Sequence, residues 1–159
     1  MSPNLPAPLR SHVESLEGSR IRAVTEAAFG RPGIIPLWFG ESDRVTPDFI
    51  RRAAAQAMQN GHTFYTPNRG IPELRAAVSE YLGKLHGRPV DVARVSITAS
   101  GVSAIMLVMQ SLVDAGDNVV IVTPLWPNCA DAIEILGGEA RRVALVPGPG
   151  GWSLGLDRL

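Results

Sequence analysis

Apolar positions along the chain follow a helical period in some segments and form short β-branched runs in others. They recur at helical spacing over Leu74–Leu85, after Pro72 and before Gly87, which predicts one helix. Two β-branched runs, ending near Ser100 and Thr123, predict two strands on either side of an apolar helix, which are parallel if that helix joins them as in a βαβ unit. This alternation predicts an α/β domain with a mostly parallel sheet.

Capping and turn residues predict further boundaries. Ser19 is the predicted N-cap of one helix, and Thr46 followed by Pro47 is the predicted start of another. Pro36 interrupts an extended run over residues 34–39, which predicts an edge strand or a short strand. Helices and short extended segments therefore alternate along most of the chain.

Composition and charge narrow the classes of function. The chain has 159 residues, of which 45% are hydrophobic, so it is long enough for one globular domain with a core. Fifteen basic and fifteen acidic residues cancel, which argues against nucleic acid and acidic membrane surfaces as partners and favours small-molecule chemistry. The apolar run Val102–Val113 is too short for a membrane span and is predicted to be a buried helix. With a single cysteine, Cys129, and no leader pattern at the start, we expect a cytoplasmic protein.

The turn between the first predicted strand and its helix carries three candidate phosphate ligands, Ser100, Gly101 and Val102. A serine hydroxyl and the N–H groups of a helix N-terminus can hold a phosphate, and Gly101 lets it approach closely. A Ser-Gly pair is also typical of an ordinary helix cap. Trp126 follows the next strand and is flanked by prolines, which favours a rigid loop over the alternative of a core tryptophan. If both turns share one edge of a parallel sheet, they suit a phosphorylated aromatic cofactor.

Other cofactor classes find no matching motif in the sequence. His12, His62 and His86 lack the spacing of zinc ligands, and Cys129 does not complete a set. No glycine-rich loop ends in Lys-Ser or Lys-Thr, and the turn at Ser100 offers one glycine where a dinucleotide site needs three. We therefore predict no metal site, no P-loop and no dinucleotide site.

These motifs, together with the run from Phe64 to Arg75, resemble the N-terminal part of a class I/II aminotransferase of the pyridoxal-phosphate fold type I group. The resemblance extends from Arg20 to Leu159. It implies an incomplete three-layer α/β/α large domain with a mostly parallel sheet, over residues 19–159 and truncated at its C-terminus. Residues 1–18, where prolines block regular structure, are the predicted N-terminal arm.

The resemblance also implies a role for each candidate residue. Three consecutive residues bind the phosphate of pyridoxal 5′-phosphate: Ser100, Gly101 and Val102. Trp126 stacks on the cofactor ring, and the Tyr65 hydroxyl reaches the phosphate of the partner subunit in a homodimer. Gly40 lies beside the carboxylate of the substrates, which are an amino acid and a 2-oxo acid. Without the resemblance, Tyr65 is equally a loop tyrosine and Gly40 a turn glycine.

The chemistry of such enzymes requires a lysine that bonds covalently to the cofactor aldehyde. The single lysine of this chain, Lys84, matches no such position, so we identify no catalytic residue. We expect an N-terminal segment that is inactive by itself and, with its sheet incomplete, prone to aggregate. Two alternatives remain open: a non-catalytic module that binds pyridoxal phosphate or serves dimerisation, and the front part of a pyridoxal-phosphate lyase.

Overall fold

The computed structural model of the chain describes residues 9–158, which form two compact units. One unit is the continuous segment Ile35–Ala99, and the other combines the residues before it with those after it. The helices are Ser11–Glu14 (α1), Arg20–Ala28 (α2), Asp48–Gln59 (α3), Pro72–His86 (α4), Gly101–Leu112 (α5) and Asn128–Glu134 (α6), with 3₁₀ turns at Val92–Arg94 and Leu156–Arg158. The strands are Asn118–Thr123 (β1), Glu139–Ala144 (β2), Val146–Gly148 (β3) and Gly151–Ser153 (β4).

A parallel pair of strands joined by a helix forms the centre of the unit that contains the C-terminal half. β1 and β2 pair from Asn118 opposite Glu139 to Thr123 opposite Ala144, and α6 connects them. Parallel strands need such a crossover because a tight hairpin cannot join them. β3 and β4 form a separate antiparallel hairpin. The predicted strand ending at Thr123 is confirmed.

The hydrophobic core of this unit lies where α6 and the end of α5 cover β1 and β2. Its buried members are Val113, Ile121, Ala130, Ile133 and Ala140. Ile133 has no exposed surface at all. A Cβ added to Gly138, just before β2, would lie 2.7 Å from Val113 Cγ1 and 3.0 Å from Ile133 Cγ2. Only glycine therefore lets the chain leave α6 and enter the sheet against this core.

Two arginine side chains hold the segment that follows α4 in the other unit. Arg75 donates through Nε to the Val95 carbonyl at 2.8 Å and through Nη2 to the Val92 carbonyl at 2.7 Å. Arg69 donates through Nε to Ser96 Oγ at 3.1 Å and also to the Ala93 carbonyl. These bonds tie the segment to the start of α4 and to the loop before it, and the Val92 carbonyl accepts from the Val95 N–H as well.

Several predicted boundaries are confirmed because the signals that set them are local. Ser19 is the N-cap of α2, and its Oγ accepts a hydrogen bond from the Arg22 N–H. α4 begins at Pro72 and is followed by Gly87, whose φ of 63° is the left-handed conformation that glycine adopts at little cost.

The predicted strand ending near Ser100 is wrong. Residues 95–100 belong to neither sheet, and the Ile97 N–H donates to the Arg69 carbonyl in a turn at 3.0 Å. A strand forms only when a neighbour pairs with it, and none does so here among the described residues. The observed βαβ unit is therefore β1, α6 and β2, and the predicted unit in which α5 joins two parallel strands does not form.

Three further predictions are wrong for related reasons. Residues 34–39 form no strand, because Pro36 has no N–H and no described strand lies beside them. Pro47, not Thr46, is the N-cap of α3, and the Thr46 carbonyl instead accepts from Arg51 Nε at 2.9 Å. α5 is not the buried helix that was predicted: none of its residues is buried, and Leu107, Val108 and Leu112 are exposed.

The predicted N-terminal arm falls partly outside the described residues. Its described part contains α1, and Arg10 Nη2 donates to the Ile135 carbonyl at 3.2 Å. A Cβ on Gly137 would lie 3.1 Å from His12 Nε2. This part of the chain therefore lies against the C-terminal end of α6. The division into an arm and a domain over residues 19–159 stays a prediction.

Candidate functional site

The N-terminus of α5 presents backbone and side-chain donors in one place. Ser100 is its N-cap, with Oγ accepting from the Ser103 N–H at 3.1 Å and the carbonyl accepting from the Ala104 N–H. The N–H groups of Gly101 and Val102 have no acceptor among the described residues. Two backbone donors are thus left at the positive end of the helix dipole, beside a serine hydroxyl.

This donor set fits a phosphate group. Phosphate oxygens accept hydrogen bonds only, and a helix N-terminus with an adjacent hydroxyl supplies donors and a favourable dipole. A Cβ added to Gly101 would meet nothing within 4 Å, so the space beside this residue is open to a ligand. All three candidates, Ser100, Gly101 and Val102, are exposed.

Ser103 is a member of this cluster that the sequence prediction missed. Its Oγ lies 3.0 Å from Ser100 Oγ, in addition to the bond that its N–H makes to the same oxygen. The signal was present in the sequence as two serines three residues apart across a helix start, the spacing of a capping box. The second serine stands where that motif usually carries Glu or Gln.

Trp126 lies in the loop between β1 and α6, as predicted, and 46% of its surface is exposed. It is not part of the hydrophobic core, so the alternative of a core tryptophan is not observed. Its carbonyl accepts from the Cys129 N–H at 3.2 Å, which holds the loop against the first turn of α6.

A cavity of about 210 Å³ lies between the first turns of α5 and α6, and Trp126 is not among the residues of its wall. Val102, in the first turn of α5, and Asn128, the first residue of α6, both contribute to its wall. The remaining wall residues are Leu16, Met106, Asp131, Ala132 and Ile135. The N-terminal ends of α5 and α6 therefore flank one space within this unit.

Asp131 lies at the wall of this cavity and of a second one, of about 580 Å³, between the start of α2 and α6 with β2. Loss of hydration raises the pKa of Asp131, the charge of Glu134 raises it further, and Arg142 opposes both. Arg142 Nη2 pairs with Glu134 Oε1 at 2.8 Å, so its charge is already engaged. The second cavity thus has a mixed rather than a single-sign lining.

Tyr65 and Gly40 belong to the other compact unit. Tyr65 is fully exposed in the loop between α3 and α4. Gly40 is also exposed, and a Cβ added to it would meet nothing within 4 Å. Both are therefore accessible to a ligand or to a second chain. The roles predicted for these two residues stay predictions.

Comparison with known proteins identifies the family. The sequence profile described as aminotransferase class I and II matches residues 33–159. The chain belongs to this family. The prediction made from the motifs around Tyr65, Ser100 and Trp126 is therefore confirmed at the level of the family.

Relatives of known structure confirm the fold type I class. The aspartate aminotransferase of Pyrococcus horikoshii is 38% identical over 130 residues, which cover 82% of this chain and 33% of that protein. The Thermus thermophilus aspartate aminotransferase with maleate superimposes with a TM-score of 0.81 at 31% identity, over 89% of this chain and 38% of that one. For the alanine aminotransferase of Pyrococcus furiosus the TM-score is 0.85 at 26% identity, over 95% of this chain and 40% of that one.

These three relatives are thus matched over 33% to 40% of their own length. The family depends on pyridoxal phosphate, and the donor set at α5 fits the phosphate of that cofactor. Across residues 9–158, no helix has both the length and the apolar character needed to cross a bilayer. In the same part of the chain, no three His, Cys, Asp or Glu side chains are arranged to hold a metal ion.

Proposed function

We propose that this chain supplies the phosphate-binding and ring-stacking part of the cofactor site of an aminotransferase that moves an amino group from an amino acid to a 2-oxo acid. One observation carries the proposal. The N–H groups of Gly101 and Val102, without acceptors among the described residues, stand beside the Ser100 hydroxyl at a helix N-terminus. The chain belongs to a family that depends on a phosphorylated cofactor.

Each residue of the turn would contribute through a different group. Gly101 and Val102 would donate their backbone N–H groups to the phosphate, and Ser100 would donate its hydroxyl. Val102 acts through its backbone alone, because its side chain is apolar and faces the cavity between α5 and α6. Trp126 would hold the pyridine ring flat. When bound, that ring withdraws electrons from the bond broken at the substrate α-carbon.

The second subunit and the substrate are parts of the same proposal. Tyr65 would donate its hydroxyl to the phosphate of a partner subunit in a homodimer, which its full exposure permits. Gly40 would lie beside the substrate carboxylate. Relatives are named for aspartate, prephenate and alanine, so we propose the reaction class and assign no particular amino acid as the substrate. We also propose a cytoplasmic location.

We also propose that the 159-residue chain does not transaminate by itself. Its single lysine, Lys84, lies exposed on α4, where Nζ pairs with Glu80 Oε1 at 2.6 Å. The alternatives are a non-catalytic module for cofactor binding or dimerisation and the front part of a lyase. A covalent adduct with pyridoxal phosphate that persists on dialysis would contradict inertness, since only Lys84 and the N-terminal amine could form it.

The proposal is tested by binding of pyridoxamine 5′-phosphate, which has no aldehyde and so cannot react with Lys84. Equilibrium dialysis should show saturable binding, and pyridoxamine without the phosphate should bind much more weakly. In Gly101→Asp, a carboxylate occupies the open space beside the turn and repels the phosphate, while an acidic residue in the first helical turn favours α5. We expect at least a tenfold loss of affinity with unchanged thermal stability.

Gln110→Glu is the matched control, because it adds the same charge near the other end of α5 and should leave affinity unchanged. Equal binding of pyridoxamine and its phosphate, or full affinity in Gly101→Asp, would show that α5 does not hold the phosphate.

A further inference from the structure

Two serine hydroxyls form a pair at the N-terminus of α5, and only the first belongs to the proposed phosphate site. Ser100 Oγ accepts the Ser103 N–H at 3.1 Å, and the two Oγ atoms are 3.0 Å apart. One residue thus contacts the same oxygen through both its backbone and its side chain. The backbone bond alone satisfies the cap, so the hydroxyl contact is additional to what α5 needs.

The direction of the hydroxyl bond follows from the chemistry of a phosphate. A serine hydroxyl has one hydrogen and two acceptor lone pairs. A phosphate oxygen can only accept, so Ser100 must donate its hydroxyl hydrogen to the phosphate when it binds one. The Ser100–Ser103 bond can then persist only with Ser103 as the donor.

We propose that Ser103 is a positioning residue of the cofactor site: by donating its hydroxyl to Ser100 Oγ, it fixes the hydroxyl rotamer in which the Ser100 hydrogen points to the phosphate. The inference rests on the proposed function and adds a residue to it. A fixed rotamer lowers the entropy lost on binding, because the hydroxyl no longer has to be ordered by the ligand. Ser103 itself need not touch the phosphate.

The test is a double-mutant cycle on binding of pyridoxamine 5′-phosphate by the full 159-residue chain. Ser103→Ala removes the hydroxyl and keeps the N–H that caps α5. The loss of one hydrogen bond predicts a weakening of about threefold to tenfold. Ser103→Thr keeps the hydroxyl and should bind within about twofold of the unchanged chain. In a chain that already carries Ser100→Gly, Ser103→Ala should have no further effect, because its partner is gone.

The controls separate this inference from the proposal on which it rests. Glycine is tolerated at an N-cap, so Ser100→Gly keeps α5 while removing the hydroxyl. Ser111→Ala removes a serine whose Oγ bonds to the Leu107 carbonyl within α5, and affinity should not change. Pyridoxamine, which has no phosphate, should be bound equally by all variants.

The outcomes distinguish a failure of the positioning role of Ser103 from a failure of the proposed phosphate site. If Ser100→Gly weakens binding and Ser103→Ala does not, the positioning role is wrong and the phosphate site stands. If the two losses add in the double variant, Ser103 acts independently of Ser100 and the positioning role is again wrong. If Ser100→Gly and Gly101→Asp both keep full affinity, the proposed function fails.

Discussion

Trp126 is the residue whose exposure says most about its role. A tryptophan that serves the core is expected to be largely buried. Here 46% of the residue's surface is exposed, at the start of the helix that flanks the same cavity as the first turn of α5. About half of this residue's surface therefore stays accessible to a flat ligand.

Trp126→Ala should weaken binding of pyridoxamine 5′-phosphate about tenfold, because the stacking contact is lost. The midpoint of thermal unfolding should change little, since the ring lies outside the core. Equilibrium dialysis and calorimetry measure the two effects. Trp152→Ala removes an exposed tryptophan of the β3–β4 hairpin and is the matched control. Equal affinity of both variants would exclude the stacking role.

Asp131 links stability to pH through its raised pKa. A carboxyl whose pKa is higher in the folded chain contributes stability that is fully present below its unfolded value of 3.8, and this stability is lost as pH rises through the folded value. At neutral pH the charged form of Asp131 therefore lowers the stability of the folded chain. Asp131→Asn removes it and should raise the melting temperature at about pH 7.

The gain from Asp131→Asn should shrink as the pH falls and disappear below 3.8, where the carboxyl becomes protonated in the folded and the unfolded states alike. Melting temperatures of the variant and the unchanged chain across this range measure the effect. Asp43→Asn removes the same charge from an exposed loop and should show no such trend. A gain that is constant with pH would mean that the charge of Asp131 is not its cause.

At the scale of the helices and strands, the sequence predicts those boundaries that are set by residues at the boundary itself. Ser19 caps α2 with its own side chain, and Gly87 ends α4 with its own backbone, so neither boundary depends on distant residues. The segment before Ser100 is different, because a strand needs a neighbouring strand to pair with, and the segment's own sequence does not show whether one is present. Ile97 bonds to the Arg69 turn instead, and no composition of residues 95–100 could have predicted that choice.

In the candidate site, too, features set by local sequence were predicted and features set by packing were not. The turn Ser100–Gly101–Val102 and the loop position of Trp126 follow from local sequence, and both were predicted. The hydroxyl of Ser103 and the exposed faces of α5 were not, because they depend on a rotamer and on which elements cover the helix. Periodicity shows that a helix has an apolar face, and it does not show what packs against that face.

The turn at Gly70 has no room for a single added carbon. Gly70 has a φ of 93°, and a Cβ there would lie 2.7 Å from two carbons of Ile97. Gly70→Ala should therefore destabilise the folded chain by about 2 kcal/mol, through strain and overlap together. Denaturant unfolding measures the difference in the free energy of unfolding.

Gly83→Ala is the control in the same unit. The added carbon would lie 3.5 Å from the Arg88 carbonyl, an ordinary contact, inside helix α4. Alanine is favoured over glycine in a helix, so this variant should be neutral or slightly more stable. If both variants lost stability equally, the turn at Gly70 would not be the special position that the geometry indicates.

At the scale of the whole molecule, little apolar surface is buried. The described residues of helices α1 to α5 include none that is buried, and large apolar side chains such as Phe49, Met58 and Leu112 are mostly exposed. Each strand of the β1–β2 pair also has one edge without a described partner. Exposed apolar patches and open strand edges both favour association with other chains.

We therefore expect the 159-residue chain to self-associate as its concentration rises. Sedimentation velocity over a hundredfold range of concentration should show a growing average mass. Leu112→Glu places a charge on an exposed face of α5 and should reduce that growth. A monomer at all concentrations, with one sharp and concentration-independent melting transition, would contradict the prediction.

Arg10 meets its acceptor late in the synthesis of the chain. The Ile135 carbonyl lies 125 positions further on, and a ribosome that adds about 5–20 residues per second needs about 6–25 s to reach it. Residues 35–99 emerge during that delay as one continuous segment, which can begin to fold while the N-terminal residues wait outside the exit tunnel. Until the Ile135 carbonyl has been made, Arg10 lacks this partner, and the attachment of the N-terminal residues to the end of α6 cannot form.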